Sequence, residues 1–452
     1  MDINDLESKA HLPEVEKIKV YKSRWVVLGI FVMYSACNAV QWIQFSIITN
    51  VIVDYYHTTN TWVDWTSMIY MVLYIPFIFP ASYLLEKLGL RKSVIIGITG
   101  TAIGSWIKVG AVHPDRFLIS FAGQTIVAFS QIFILSVPAR LAAVWFGPSQ
   151  VSSACSIGVF GNQLGIAVGF LVPPMIVPGG TTEEVTSQLY TLFIGTAIAA
   201  TIILVLVLLS QTLSRFRLSI SVFKNAPATP PSYAVAQQNE EEVDFMASLK
   251  RLLNNRSYIL LLSAYGINVG VFYAISTLLN QIVLHYYPDA SADAGRIGLA
   301  IVLAGMLGSV CCGIILDRFH KFKETTLTVY ACCLVAMLIY TFTLSEGIVV
   351  VYVISAVLGF FMTGLLPVGF ELAAELTYPE PEGTSSGLLN AASNLFGIAF
   401  TNAYSALFYQ VGDVWANIVM CISLGVGVIL LACTSSDLRR QAAHLDEKNP
   451  KH

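Results

Sequence analysis

Ser82-Tyr-Leu-Leu-Glu86-Lys87-Leu-Gly89-Leu-Arg91-Lys92 returns later in the chain as Gly313-Ile-Ile-Leu-Asp317-Arg318-Phe-His320-Lys321-Phe-Lys323. The acid–base pair Glu86-Lys87 becomes Asp317-Arg318, 231 positions further on. A second pair of segments, Asn162-Gln-Leu-Gly165-Ile-Ala and Asn394-Leu-Phe-Gly397-Ile-Ala, stands 232 positions apart. Two matches at nearly one offset describe a chain built from two related halves. Repeated halves that each cross a bilayer several times are the build of a transporter, with its site at the interface between the repeats.

Composition supports a membrane setting. The chain is 56% hydrophobic and 12% charged, with a mean hydropathy of +0.69, whereas soluble domains carry about 25% charged residues. A helix needs about 20 mostly apolar residues to span a bilayer. Twelve segments qualify, centred on 25–49, 62–85, 93–112, 117–137, 152–174, 188–211, 257–285, 294–316, 325–345, 347–374, 385–410 and 414–434. The expected fold is therefore an all-α membrane protein. It divides into a tail (1–22), a six-helix half (23–215), a hydrophilic linker (216–255), a second six-helix half (256–435) and a C-terminal tail (436–452).

Basic residues cluster on one side of these spans: Lys87, Arg91, Lys92, Arg140, Arg215, Arg217, Lys224, Lys250, Arg251, Arg256, Arg318, Lys321 and Lys323, with more in both tails. Lys108, Arg116 and Arg296 stand at or near the other side. The positive-inside bias places both termini in the cytoplasm. Acids at Asp2, Asp5, Glu7, Glu14 and Glu16 argue against a mitochondrial transit peptide, so the plasma membrane is expected ahead of mitochondrial or internal membranes. The eight cysteines all fall in spans and none has zinc-ligand spacing. No cofactor, metal or nucleic-acid partner is expected. The expected surroundings are membrane lipid, and the expected state is a monomer.

The repeated loop resembles the cytoplasmic signature of the major facilitator superfamily. That resemblance implies twelve helices in two pseudo-symmetric halves and an inner gate at Glu86, Lys87, Arg91, Asp317 and Arg318. Glu86 stands where the family usually has Asp, and the second copy lacks a Gly after Asp317-Arg318.

A polar and aromatic knot lies deep in the first span: Asn38-Ala-Val-Gln41-Trp42-Ile-Gln44. Amides at that depth are expensive unless they face a cavity. The 231-residue offset carries Trp42 onto Tyr273, so two large aromatics are expected to face each other across the halves. Gln163 and Asn394 are near-equivalent by the repeat. Aromatic faces with amides and no fixed charge suit an organic cation, each ring contributing roughly 0.5–2 kcal/mol.

Further segments narrow the resemblance: Gln41-Trp-Ile-Gln44, Trp65-Thr-Ser-Met-Ile-Tyr70, Phe79-Pro-Ala81, Trp145-Phe-Gly-Pro148, Gly161-Asn-Gln-Leu-Gly165, Ser276-Thr-Leu-Leu-Asn-Gln281, and Tyr378-Pro with Glu382 to Asn390. Together they resemble the feline leukaemia virus subgroup C receptor-related transporters over residues 24–435. That family is linked to choline and ethanolamine transport and, historically, to haem. The resemblance makes Trp42 and Tyr273 an aromatic cage, with Asn38 and Gln163 as polar partners. Asn394 departs from it, because better-known members carry Gln there.

These observations favour a facilitative transporter of choline and ethanolamine. Haem transport is the alternative, but haem wants an axial His, Cys, Met or Tyr, and His57, His113 and His285 lie near span ends. A non-transporting receptor or sensor would need soluble domains, and the outer loops are short. The pattern Gly383-Thr-Ser385-Ser-Gly387 needs a strand–turn–helix to be a hydrolase elbow; it opens a membrane span instead, and no enzyme is expected. No acid stands in the middle of spans one, four or seven, so no buried carboxylate is expected to relay protons.

Overall fold

A computed structural model describes residues 22–135, 137–146, 150–212, 245–319, 321–378, 380 and 382–435. The side chains of Ser82, Glu86, Arg140 and Asp317 lie outside what it describes. In chain order the longer helices are α1 (Arg24–Ile43), α2 (Thr49–Tyr56), α3 (Asn60–Gly110), α4 (Phe117–Leu135), α5 (Val137–Trp145), α6 (Val151–Ile176) and α7 (Thr182–Thr212). Within the last part of the expected linker the chain already forms a helix, α8 (Phe245–Asn254), and after it come α9 (Arg256–Tyr286), α10 (Ser291–Phe319), α11 (Phe322–Thr343), α12 (Ile348–Thr377), α13 (Glu382–Gln410) and α14 (Asp413–Ala432).

Eleven stretches among the described residues are long and apolar enough to cross a membrane. The twelfth expected span, α13, has ample length at 29 residues. It fails on composition because Asn390, Ser393, Asn394, Thr401, Asn402 and Ser405 run along it. Ser393, Asn394, Thr401 and Ser405 are buried, and Asn390 and Asn402 half-buried, against the rest of the protein. With it, each half has six crossings. The linker flanks and both described chain ends therefore share one end of the bundle, the linker end.

Two boundaries differ from expectation for local reasons. α7 starts at Thr182 rather than 188, because Thr181 and Glu184 form a reciprocal cap: the Thr181 N–H donates to Glu184 Oε2 at 2.8 Å and the Glu184 N–H to Thr181 Oγ1 at 3.4 Å. The first span is broken. α1 stops at Ile43, a 3₁₀ turn covers Ser46–Ile48, and α2 continues to Tyr56.

Close helix approach explains the glycine spacing in the sequence. A Cβ on Gly165 of α6 would sit 2.4 Å from the Ala36 carbonyl oxygen of α1. Small residues let membrane helices approach to backbone contact. In the second half Gly266 and Gly270 of α9 meet Phe396 of α13 in the corresponding way. Gly89, at φ 82°, bends α3 between its two spans, inside the first copy of the repeated loop; any side chain would be strained there. Near the linker end α8 is pinned to the second half. Ser248 Oγ donates to Glu380 Oε2 at 2.6 Å, and Arg251 Nη2 to the same oxygen at 3.0 Å. The Arg251 guanidinium holds the Glu380 carboxyl below its ordinary range.

Candidate substrate site between the halves

Trp42 stands on the last turn of α1, just before the break. The last carbonyls of any helix lack partners within it. Here Gln124 of α4 supplies one: its Nε2 donates to the main-chain oxygens of Gln41 at 2.7 Å and Thr66 at 3.2 Å. Non-helical backbone at membrane depth is tolerated when protein buries it in this manner. From the other half α9 runs unbroken past Tyr273. The Trp42 and Tyr273 ring centres are 5.7 Å apart, their planes inclined at 67°.

The repeat offset thus brings these two residues together. They touch edge to face, so they do not form two parallel walls. The inclined planes make a corner instead, and a cation in such a corner can lie within about 6 Å of both ring centres. α13 closes the third side. A Cβ on Gly397 would be 2.8 Å from both Met71 Sδ and Tyr273 Cδ2, so only glycine lets α13 approach this closely.

The amides beside Trp42 point elsewhere. Asn38 Nδ2 donates to Thr101 Oγ1 and to the Val127 carbonyl, both at 3.1 Å. Gln41 Oε1 accepts from Ser105 Oγ at 3.0 Å and from Lys108 Nζ at 2.6 Å. The Lys108 amino group also donates to Gln124 Oε1 at 2.9 Å. It lies 5.7 Å from the Phe45 ring centre and 6.0 Å from that of Phe193. Asn38, Gln41 and Lys108 are all fully buried. They form a polar core of the first half, one layer behind Trp42. The expectation of aromatics and amides with no fixed charge therefore needs correcting, because the Lys108 amino group donates to Gln41, the residue adjoining Trp42.

Lys108→Met keeps an unbranched side chain one atom shorter and leaves the Gln124 amide oxygen without its donor. A buried orphan of this kind costs about 1–3 kcal/mol. Thermal unfolding of the detergent-solubilised variant should start at a clearly lower temperature than in the parent; an unchanged midpoint would show that the network carries no weight.

Gln163 is half-buried on α6, seven residues before Phe170. Two helical turns put it on the stripe that faces α10, where Phe170 meets Gly298. Asn394 lies one turn from Gly397 towards the linker end, and its Nδ2 donates to the Asn390 carbonyl of its own helix at 2.7 Å. Both amides sit on faces turned to the other half, without touching the aromatic pair in the contacts described. Of the gate residues, Lys87 and Arg318 are exposed and Arg91 half-buried at the linker end. The side chains of Glu86 and Asp317 lie outside the described set.

Sequence reasoning missed a second layer, between the aromatic pair and the end opposite the linker. Ser67 and Thr277 hydroxyls meet at 3.1 Å, and Asn402 Nδ2 reaches Met68 Sδ at 3.4 Å. Beyond them Asp64 is 1% exposed. Its Oδ1 accepts from Gln281 Nε2 at 2.7 Å and its Oδ2 from Ser405 Oγ at 3.2 Å. Tyr409 donates its hydroxyl to Gln281 Oε1. The expectation that no carboxylate is buried on the route is overturned by Asp64, which stands in span two rather than in spans one, four or seven. Its signal was available: an acid four residues into an apolar span.

The sequence profile of the Major Facilitator Superfamily matches residues 28–402. An MFS-type transporter of Caenorhabditis elegans, C09D4.1, is 52% identical over 95% of this chain and 72% of its own length. The choline/ethanolamine transporter flvcr2a of Danio rerio is 47% identical over 97% of this chain and 92% of its own. Among solved structures, a bacterial homologue of the human lysosomal transporter Spinster superposes with a TM-score of 0.66 at 12% identity, covering 93% of this chain and 99% of that one. At that identity the likeness speaks for the fold alone.

Proposed function

The chain belongs to the major facilitator superfamily, in the branch of the feline leukaemia virus subgroup C receptor-related transporters, and on that premise we propose that it is a facilitative transporter of choline and ethanolamine. The observation that carries this reading is the Trp42–Tyr273 corner, one ring from each half, at the junction of α1, α9 and α13. A quaternary ammonium has no proton to donate, so ring quadrupoles are a fitting attraction. The names of the relatives point to the same substrates. Haem is less well served, because His57, His113 and His285 lie near helix ends away from the aromatic pair.

In this reading the halves rock about the site. Contacts of α3 with α9 and α13, and of α6 with α10, close the end opposite the linker, and the repeated loops act at the linker end. Asn38 and Gln41 support Trp42 from behind, while Gln163 and Asn394 line the path towards the linker end. Labelled choline uptake by cells expressing the chain tests the reading, with ethanolamine as competitor.

We take the linker end to be cytoplasmic, in the plasma membrane. Epitope tags at the two termini should then stain only after permeabilisation; staining of either on intact cells would reverse the topology. Uniport is proposed because the substrate carries its own charge, worth about 2.3 kcal/mol per 100 mV across the membrane. At clamped voltage an imposed pH gradient should leave choline uptake unchanged. Strong acceleration would instead make Asp64 the first residue to examine as a proton carrier.

A further inference from the structure

Asp64 is a buried carboxylate without a counter-charge. Among the described residues no Lys, Arg or His comes within ion-pair distance of it, and its partners Gln281 and Ser405 are neutral. Both belong to the other half. A carboxylate in such a place is costly unless it is fully hydrogen-bonded or meets a cation at some stage.

Its position is informative. Asp64, Ser67, Met68 and Met71 lie on one stripe of α3, at i, i+3, i+4 and i+7. Met71 ends that stripe against Gly397, beside Tyr273. Seven residues of helix place the carboxylate about 10 Å from the aromatic corner. On α9, Tyr273, Thr277 and Gln281 form the opposing stripe, joined to α3 at Ser67–Thr277 and Asp64–Gln281. Between the two levels the path is polar. Ser276 Oγ and both amide atoms of Asn280 are buried with no protein partner, and each residue is no more than 1% exposed. Ser276 and Asn280 follow Tyr273 at i+3 and i+7, on the same side of α9.

We propose that Asp64 is a second binding station, which receives the ammonium group of the substrate at the end opposite the linker before the aromatic corner does. This rests on the transport reading above. When the halves part at that end, Gln281 and Ser405 leave with the second half, and the carboxylate faces the opening with an unmet charge. The ammonium pairs with it, passes the free polar groups of Ser276 and Asn280, and reaches Trp42 and Tyr273. On closure Gln281 and Ser405 return to the carboxylate in place of the substrate. The ligand class is a primary or quaternary ammonium; an uncharged molecule of the same shape gains nothing at this station.

The test is choline uptake into proteoliposomes holding the full chain, Asp64→Asn or Asp64→Glu. Asparagine keeps the size and removes the charge; glutamate keeps the charge and alters the contact. Asp64→Asn should raise the KM for choline about fivefold or more, with Vmax within about twofold, and flatten its dependence on ionic strength. Asp64→Glu should have a KM between those of the parent and Asp64→Asn and keep the parent's dependence on ionic strength. The inhibition constant of the neutral isostere 3,3-dimethylbutan-1-ol should not move in either variant. An unchanged choline KM in Asp64→Asn overturns the station, as does an equal shift for choline and the isostere, which would make Asp64 a closing contact only. If the unaltered chain takes up no choline, the transport reading falls and the station falls with it.

Discussion

Trp42→Ala and Tyr273→Ala should each weaken choline binding roughly tenfold or more, an effect on the order of 1–2 kcal/mol. Each ring offers the ammonium a face that alanine lacks, and the corner needs both halves. Each substitution also removes an edge-to-face contact worth about 0.5–1.5 kcal/mol, so stability is expected to fall as well. Two controls separate the effects. Trp42→Phe keeps a ring with a weaker quadrupole and should retain part of the affinity. An isostere with carbon in place of nitrogen should bind the unaltered protein poorly despite its matching shape. Isothermal titration of the purified variants reads both. Equal binding of choline and the isostere would remove the cation–π basis of the site.

Gly295→Val should nearly abolish transport while leaving the protein folded and at the cell surface. A Cβ on Gly295 would lie 2.5 Å from the Phe170 carbonyl oxygen and 2.8 Å from Pro174 Cγ. The backbone oxygen cannot rotate away, and real contacts of that kind lie well beyond that distance. Since α6 and α10 belong to different halves, the added methyl groups hold them apart at the end opposite the linker. The cycle then lacks its closed state at that end. Reaction of a Ser276→Cys thiol with a membrane-impermeant reagent should speed up in the Gly295→Val background. Normal uptake by Gly295→Val would mean that α6 and α10 do not close on one another during transport.

The repeat and the apolar runs made the architecture readable, because span length and internal offset are both properties of sequence. α13, counted among the twelve segments in the sequence, is less apolar than the other eleven for a physical reason. Its Asn394, Asn402 and Ser405 face the other half, so its average is that of an interior helix. The meeting of Trp42 and Tyr273 was likewise legible, since pseudo-symmetry carries one position onto the other. The directions of Asn38 and Gln41 were not. Adjacency in sequence puts them beside Trp42, but their partners, Thr101 and Lys108, arrive from α3, more than sixty residues away. Asp64 was overlooked because a short acid near the start of a span reads as an interfacial residue. Only the approach of Gln281 and Ser405 from the second half buries it. What sequence could not supply was therefore contact between distant helices at positions that the repeat does not relate.

The central claim is that this chain moves choline by way of the aromatic corner. Uptake of labelled choline into proteoliposomes containing the purified chain, at fixed pH and with an inside-negative potential, tests it most directly. The account predicts saturable uptake that rises with the potential, is competed by ethanolamine, and falls at least tenfold at low substrate in Trp42→Ala. Uptake no greater than in protein-free vesicles, or uptake at the parent rate in Trp42→Ala, would contradict it.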